Sequence, residues 1–123
     1  MKHAPGFLRL VEAVRPTIRE VTVEQVRVLQ ASQEAFHFVD VREDDEWRAG
    51  FCAGAVHIGR GVLERDVEGL IPDSGAHVVL YCGGGFRSAL AAESLAKMGY
   101  TNVWSMAGGI RAWRDAALPE AKP

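Results

Sequence analysis

Residues 78–88 read Val78-Val79-Leu80-Tyr81-Cys82-Gly83-Gly84-Gly85-Phe86-Arg87-Ser88, and the fold is decided by how this stretch is read. Four apolar residues run into a cysteine and three glycines, after which residues 89–98 become Ala- and Leu-rich with helical spacing. A short unbroken apolar run that ends in a turn signal predicts a buried strand, and the small residues that follow predict a helix packed closely on a sheet. Cys82 is thus carried by a strand into a tight loop that becomes the first turn of a helix. Glycines tolerate φ > 0, and a helix N-terminus has unpaired N–H groups, so such a loop can curl its amides around an anion. A helix N-terminus and a nearby cation bring a cysteine thiol from about 8.5 into roughly 3.5–7.5, where the nucleophilic thiolate dominates at neutral pH. Arg87 offers a planar fork of donors suited to an oxyanion and is expected to close the ring, and Ser88 to help cap the helix. Cys82 is the candidate nucleophile, with Gly83, Gly84, Gly85, Phe86, Arg87 and Ser88 as the substrate-binding loop. The plainer alternative is a core cysteine before a Gly-rich turn. Cysteine, glycines, arginine and strand-to-helix context together favour the chemical reading.

Outward from this stretch, strands and helices alternate. Phe7, Leu10, Val11 and Val14 share one side of an N-terminal helix that Pro16 interrupts; it either covers a core edge or mediates self-association. Glu20-Val21 predicts a short strand, and Thr22 with Gln25 a capping box that opens a helix to about residue 32. Phe36-His37-Phe38-Val39 predicts an interior parallel strand ending at Asp40, and the acidic residues 43–46 suit the start of another helix. Residues 56–58 predict a strand in which His57 is a structural residue, followed by Arg60, a helix over 62–70 and a turn over 71–75. Arg60 stands where strands of open α/β sheets end and ligands gather, so it either adds positive potential to the pocket mouth or forms a surface ion pair. Gly99 ends the helix after the cysteine loop, 103–104 form the last strand, 107–109 a turn, and 110–117 a final helix; Trp104 and Trp113 read as core aromatics and residues from 119 as a frayed tail.

Alternating elements imply right-handed crossovers and an α/β fold with a mostly parallel sheet covered on both faces. Asp40, Arg60 and Cys82 would then meet at one sheet edge. The expected organisation is a helical extension over residues 1–19, one domain over 20–118 and a tail over 119–123.

The chain resembles the single-domain rhodaneses, thiosulfate sulfurtransferase-type domains, over about residues 20–118. Three segments carry the resemblance: the loop from Cys82 to Ser88; Asp40-Val41-Arg42-Glu43 with Glu46-Trp47, Gly50 and Gly54-Ala55-Val56-His57-Ile58; and Gly99-Tyr100-Thr101-Asn102-Val103 with Gly108-Gly109-Ile110 and Trp113. It implies a three-layer domain with about five central strands and sulfur transfer through a Cys82 persulfide. The implied partners are a small anionic donor such as thiosulfate and a cyanide or thiol acceptor. The alternative is a persulfide-carrying relay or regulatory module serving one protein partner. No cofactor is implied. Asp40 and Arg42 would hold loops near the site. Four residues separate Cys82 from Arg87, one fewer than in the related loop of cysteine-dependent phosphatases, and the smaller ring suits Cys–S–S⁻ better than attack on phosphorus. The chain departs from the family pattern at Phe51 and Cys52, where a histidine and an aliphatic residue usually stand, and at Gly59, usually proline.

A length of 123 residues with 48% hydrophobic composition suffices for one domain with its own core. A net charge of -2 leaves no electrostatic case for nucleic acid or an anionic membrane. No apolar run approaches a membrane span, the N-terminus lacks a secretory pattern, and a nucleophilic thiol keeps best in a reducing compartment, so the expected location is cytoplasmic. Cys52 reads as a packing residue, with a resolving thiol or a bridge to Cys82 as the other readings. No spacing of His, Cys or carboxylates suggests a metal site.

Overall fold

A computed structural model describes residues 2–123. Its strands are β1 (Arg19–Val21), β2 (His37–Asp40), β3 (Phe51–Cys52), β4 (Val56–His57), β5 (Val78–Tyr81), β6 (Val103–Met106) and β7 (Glu120–Ala121). The helices are α1 (Pro5–Val14), α2 (Val23–Ala31), α3 (Asp44–Ala49), α4 (Leu63–Leu70), α5 (Phe86–Lys97) and α6 (Gly109–Asp115). Five strands make one parallel sheet in the order β1-β6-β5-β2-β4. β5 sits at its centre with every residue buried, as an unbroken apolar run requires when helices cover both faces.

Alternation along β5 divides the core in two. Val78, Leu80 and Cys82 share a cluster with Leu63 and Val67 of α4 and Ala91, Ala92 and Leu95 of α5. Val79 and Tyr81 face the other way, toward Val23 and Val26 of α2, Cys52, and Ile110 and Trp113 of α6. Each fully buried Leu or Val contributes about 1.5–3 kcal/mol relative to exposure, so the sheet's register is set by burial on both faces. The capping box at Thr22 is present: the Thr22 hydroxyl accepts from the Gln25 N–H at 3.1 Å and the Gln25 side chain accepts from the Thr22 N–H at 2.8 Å. α1 packs against α5 with Val11 and Val14 buried.

Two readings of the sequence need correction. The C-terminus is not frayed: β7 pairs antiparallel with β3, Phe51 opposite Ala121 and Cys52 opposite Glu120. The chain turns back after α6 through Ala117 at φ 55°, and the Pro119 carbonyl accepts from the Trp113 indole at 2.8 Å and from the Ala53 N–H at 3.0 Å. Two-residue strands are too short to show a period, so neither β3 nor β7 had a pattern to read. The last parallel strand also runs on to Met106, because Ser105, a polar residue in its middle, is buried and hydrogen-bonded to Ser88 rather than marking a strand end. Among the described residues no helix is long and apolar enough to cross a membrane.

Candidate active site

The strand β5 hands Cys82 to the loop on the α5 side of the sheet, and the side chain is 1% exposed. Gly85 takes φ +96° at the N-cap of α5, and its N–H then points back at the Cys82 Sγ, 3.2 Å away. The Ser88 N–H, one of the unpaired amides of the first helical turn, donates to the same sulfur at 3.3 Å. Ser88 does not cap the helix. It lies inside the first turn, where its hydroxyl faces inward, 2.7 Å from the Ser105 hydroxyl and 3.6 Å from Sγ.

The outer side of the loop is held by a second helix start. The Ile110 N–H donates to the Cys82 carbonyl at 2.9 Å and the Arg111 N–H to the Gly83 carbonyl at 3.0 Å, so the first two carbonyls of the loop face α6. This approach requires Gly109: at φ +56°, a Cβ there would collide with the Cys82 carbonyl oxygen and lie 2.7 Å from the Gly83 carbonyl carbon.

Arg87 is not an isolated cation over the ring. Its Nη1 and Nη2 donate to the two oxygens of Glu46 at 2.8 and 3.1 Å, a bidentate pair that joins α5 to α3. The guanidinium holds the Glu46 carboxyl at about 2, assisted by the Glu43 N–H, which donates to the same carboxylate at 3.0 Å; Arg87 in turn is pushed up by Glu46. Arg87 remains over the loop, with Nη2 only 3.1 Å from where a Cβ on Gly83 would stand.

Together these elements enclose a cavity of about 480 Å³ with Cys82 at its floor, bounded by Gly83, Gly84, Phe86, Arg87, Glu46 and Arg111 and, from the N-terminal segment, by His3 and Phe7. None of Glu46, Arg111, His3 and Phe7 is a site residue in the sequence analysis. There Glu46 is one of several acids at a helix start and part of a segment that carries the resemblance, Phe7 belongs to the apolar side of the N-terminal helix, and Arg111 is the second residue after a Gly-Gly turn.

Arg60 does not reach this cavity. The single turn at Arg60–Val62 carries it toward α4 and α5, where Nη1 donates to Glu64 at 2.8 Å and Nη2 to the Ser94 hydroxyl at 3.1 Å. Asp40 and Arg42 are buried together: the Asp40 carboxylate accepts from Arg42 Nε and Nη2 at 2.8–3.1 Å, and Nη2 also donates to the Gly50 carbonyl at 2.7 Å, which ties the end of β2 to the end of α3. Arg42 also borders a smaller neighbouring cavity of about 280 Å³ that shares Glu46, Gly83 and Arg111 with the first. His57 meets the Arg42 carbonyl through Nε2 at 2.8 Å and stacks on Trp47, whose ring stacks on Phe51 at 3.6 Å between centroids. The unusual Phe51 is therefore the outer slab of an aromatic stack. Cys52 lies on the opposite sheet face from Cys82, and both are free thiols. Burial pushes the Cys52 thiol up to about 12 despite the nearby Tyr81 hydroxyl, so it is inert beside Cys82.

The arrangement can hold negative charge on one sulfur, with two amides aimed at it and a cavity open above it. The chain is similar to several known proteins. Thiosulfate sulfurtransferase PspE of Escherichia coli is 34% identical over 88 residues, 72% of this chain and 81% of that protein. A putative sulfur carrier protein of Bacillus subtilis, YrkF, is 30% identical over 79% of this chain, which corresponds to 51% of YrkF. Among solved structures, a protein of unknown function, possible tyrosine phosphatase, from Rhodopseudomonas palustris superposes with a TM-score of 0.83 at 28% identity, covering 97% of this chain and 96% of that one. The model of the rhodanese-like domain matches residues 22–116, and with the cysteine loop and the parallel sheet in the same span, the chain belongs to the rhodanese-like domain family.

Proposed function

We propose that the chain is a sulfurtransferase that carries a sulfane sulfur on Cys82. The Cys82 thiolate attacks the outer sulfur of thiosulfate or a related donor; the Sγ–S bond forms as the donor's S–S bond breaks, and sulfite leaves with the electron pair. The terminal charge of Cys82–S–S⁻ is stabilised by the loop amides, electrostatics of the oxyanion-hole kind applied to sulfur. Cyanide or a thiolate then removes that sulfur and regenerates the thiolate. Gly83, Gly84, Gly85, Phe86 and Ser88 line the persulfide, Arg87 supplies positive charge at the loop edge, and Asp40 with Arg42 holds the adjoining loops. The observation that carries this reading is the pair of amides, of Gly85 and Ser88, converging on one sulfur at 3.2 and 3.3 Å at the floor of a cavity. A reducing compartment such as the cytoplasm would keep that sulfur available.

Exposure to thiosulfate should raise the intact mass by one sulfur atom, reversibly with cyanide, and Cys82→Ser should abolish the gain. A wild-type mass that never changes would refute the reading. The similarity to a named putative sulfur carrier supports a second one, in which the same persulfide passes to a protein acceptor rather than to small thiols. Multiple turnover with thiosulfate and cyanide distinguishes the first from the second. Hydrolysis of an aryl phosphate would point instead to phosphatase chemistry, which the short spacing from Cys82 to Arg87 argues against.

A further inference from the structure

Sulfur transfer as described uses only the floor of the cavity. At about 480 Å³ the space falls in the range of roughly 300–1,000 Å³ typical of sites for small organic ligands, far more than a single sulfur oxyanion fills. Its mouth is aromatic. The His3 ring lies 4.4 Å from that of Phe86 and 5.3 Å from that of Phe7, the Phe7 and Phe86 rings are 6.0 Å apart, and the Arg15 guanidinium covers Phe86 at 5.1 Å. Both His3 and Phe7 line the cavity, and both precede residues 22–116, so these two members of the wall lie outside the span matched to the family, while Phe86 lies within it. The cations are also unequal. The Arg87 fork is occupied by Glu46, whereas Arg111 forms no ion pair among the described residues and holds Nη1 beside the loop, 3.7 Å from where a Cβ on Gly84 would stand.

We infer that His3 and Phe7 are specificity-determining residues: with Phe86 they select sulfane donors that combine an anionic head with an aromatic or bulky apolar body, the body packing on the aromatic wall and Arg111 taking the head. The inference rests on the sulfurtransferase reading and extends it to the donor's class. For an organic thiosulfonate R–SO₂–S⁻, the Cys82 thiolate bonds to the outer sulfur, the donor's S–S bond breaks, and the electron pair leaves on the sulfinate R–SO₂⁻. Total charge is conserved, and neither a proton nor an external redox partner is required.

The test compares benzenethiosulfonate with methanethiosulfonate, which share the reacting atoms and differ in the body. The readout is kcat/KM in the wild type and in Phe7→Leu, His3→Ala and Arg111→Met. The aryl-to-methyl ratio should fall about tenfold in Phe7→Leu and severalfold in His3→Ala, a residue that precedes α1 and so leaves the helix intact. Arg111→Met should raise KM about tenfold for both donors with the ratio kept. Ratios within twofold of wild type in both wall variants, or an unmoved KM in Arg111→Met, would overturn the inference while leaving sulfur transfer standing. If the wild type gains no sulfur mass from either donor, the sulfurtransferase reading falls and this one with it.

Discussion

Gly109→Ala tests the geometry of the site without touching a group that reacts. The residue sits at φ +56°, and its backbone lies against the Cys82–Gly83 peptide so closely that a Cβ overlaps the Cys82 carbonyl oxygen. A left-handed φ costs a non-glycine residue about 1–2 kcal/mol, and forcing a methyl into a packed contact about 1–3 more. The neighbours are backbone atoms, which cannot rotate aside, so the sum of roughly 2–5 kcal/mol is met either by unfolding or by displacement of the loop. Displacement would break the bonds from the Ile110 and Arg111 amides to the Cys82 and Gly83 carbonyls, and with them the alignment of the Gly85 and Ser88 amides on Sγ. The expected melting temperature is lower by about 10 °C or more, at several degrees per kcal/mol for a chain of this size. Persulfide formation below that temperature, followed by intact mass, should slow by about a hundredfold, the scale that a 1 Å misplacement imposes. A variant that melts within 2 °C of wild type (a threshold of roughly half a kcal/mol) and loads sulfur at the same rate would refute the claim that α6 positions the loop.

Glu46→Gln should lower the KM for thiosulfate severalfold by returning the Arg87 charge to the cavity, as steady-state kinetics would register. The same pair gives a signed pH dependence. Glu46 is lowered to about 2 in the fold from an ordinary 4.5, so its stabilisation is complete above about pH 5 and is lost as pH falls toward 2. Because the pair is partly exposed the contribution is about 1 kcal/mol, and melts of wild type and Glu46→Gln should converge at the acid end. With the Cys52 thiol buried and raised to about 12, Cys52 should resist iodoacetamide at pH 8 in native protein and be labelled only after denaturation, as peptide mapping would show. A chain ending at Leu118 loses the acceptor of the buried Trp113 indole and the β3–β7 pairing, and should be destabilised by about 1–3 kcal/mol in a urea titration.

The central strand and the tight turn after it were legible from local sequence because both are written in neighbouring residues. Val78 to Tyr81 is an apolar run that needs burial on two faces, and three glycines between a strand and an Ala-rich helix leave few conformations other than a tight loop. What stayed illegible depends on contacts between distant segments. Glu46 and Arg87 are 41 residues apart, and nothing beside either one indicates the other. Arg60 obeys the rule that ligands gather at the ends of parallel strands, yet one short helical turn after β4 is enough to point it at Glu64 instead. The tail looked frayed because Pro119 and its charged neighbours lack an apolar period, and it is held by backbone pairing and by the Trp113 indole, which leave no such trace.

The cysteine loop by itself therefore under-specifies the site. An amide aimed at sulfur is useful only if the carbonyl of the same peptide chain has somewhere else to go, since a buried carbonyl without a donor costs about 1–3 kcal/mol. Here the N-terminus of α5 supplies the amides of Gly85 and Ser88, and the N-terminus of α6 takes the carbonyls of Cys82 and Gly83. Both helices start at that edge because each follows a parallel strand, β5 or β6, and those strands are neighbours in the sheet. The anion-holding geometry is then a property of two adjacent strand-to-helix turns. Transplanting residues 82–88 onto an isolated strand-loop-helix without the 108–111 turn should yield a cysteine without the cradle.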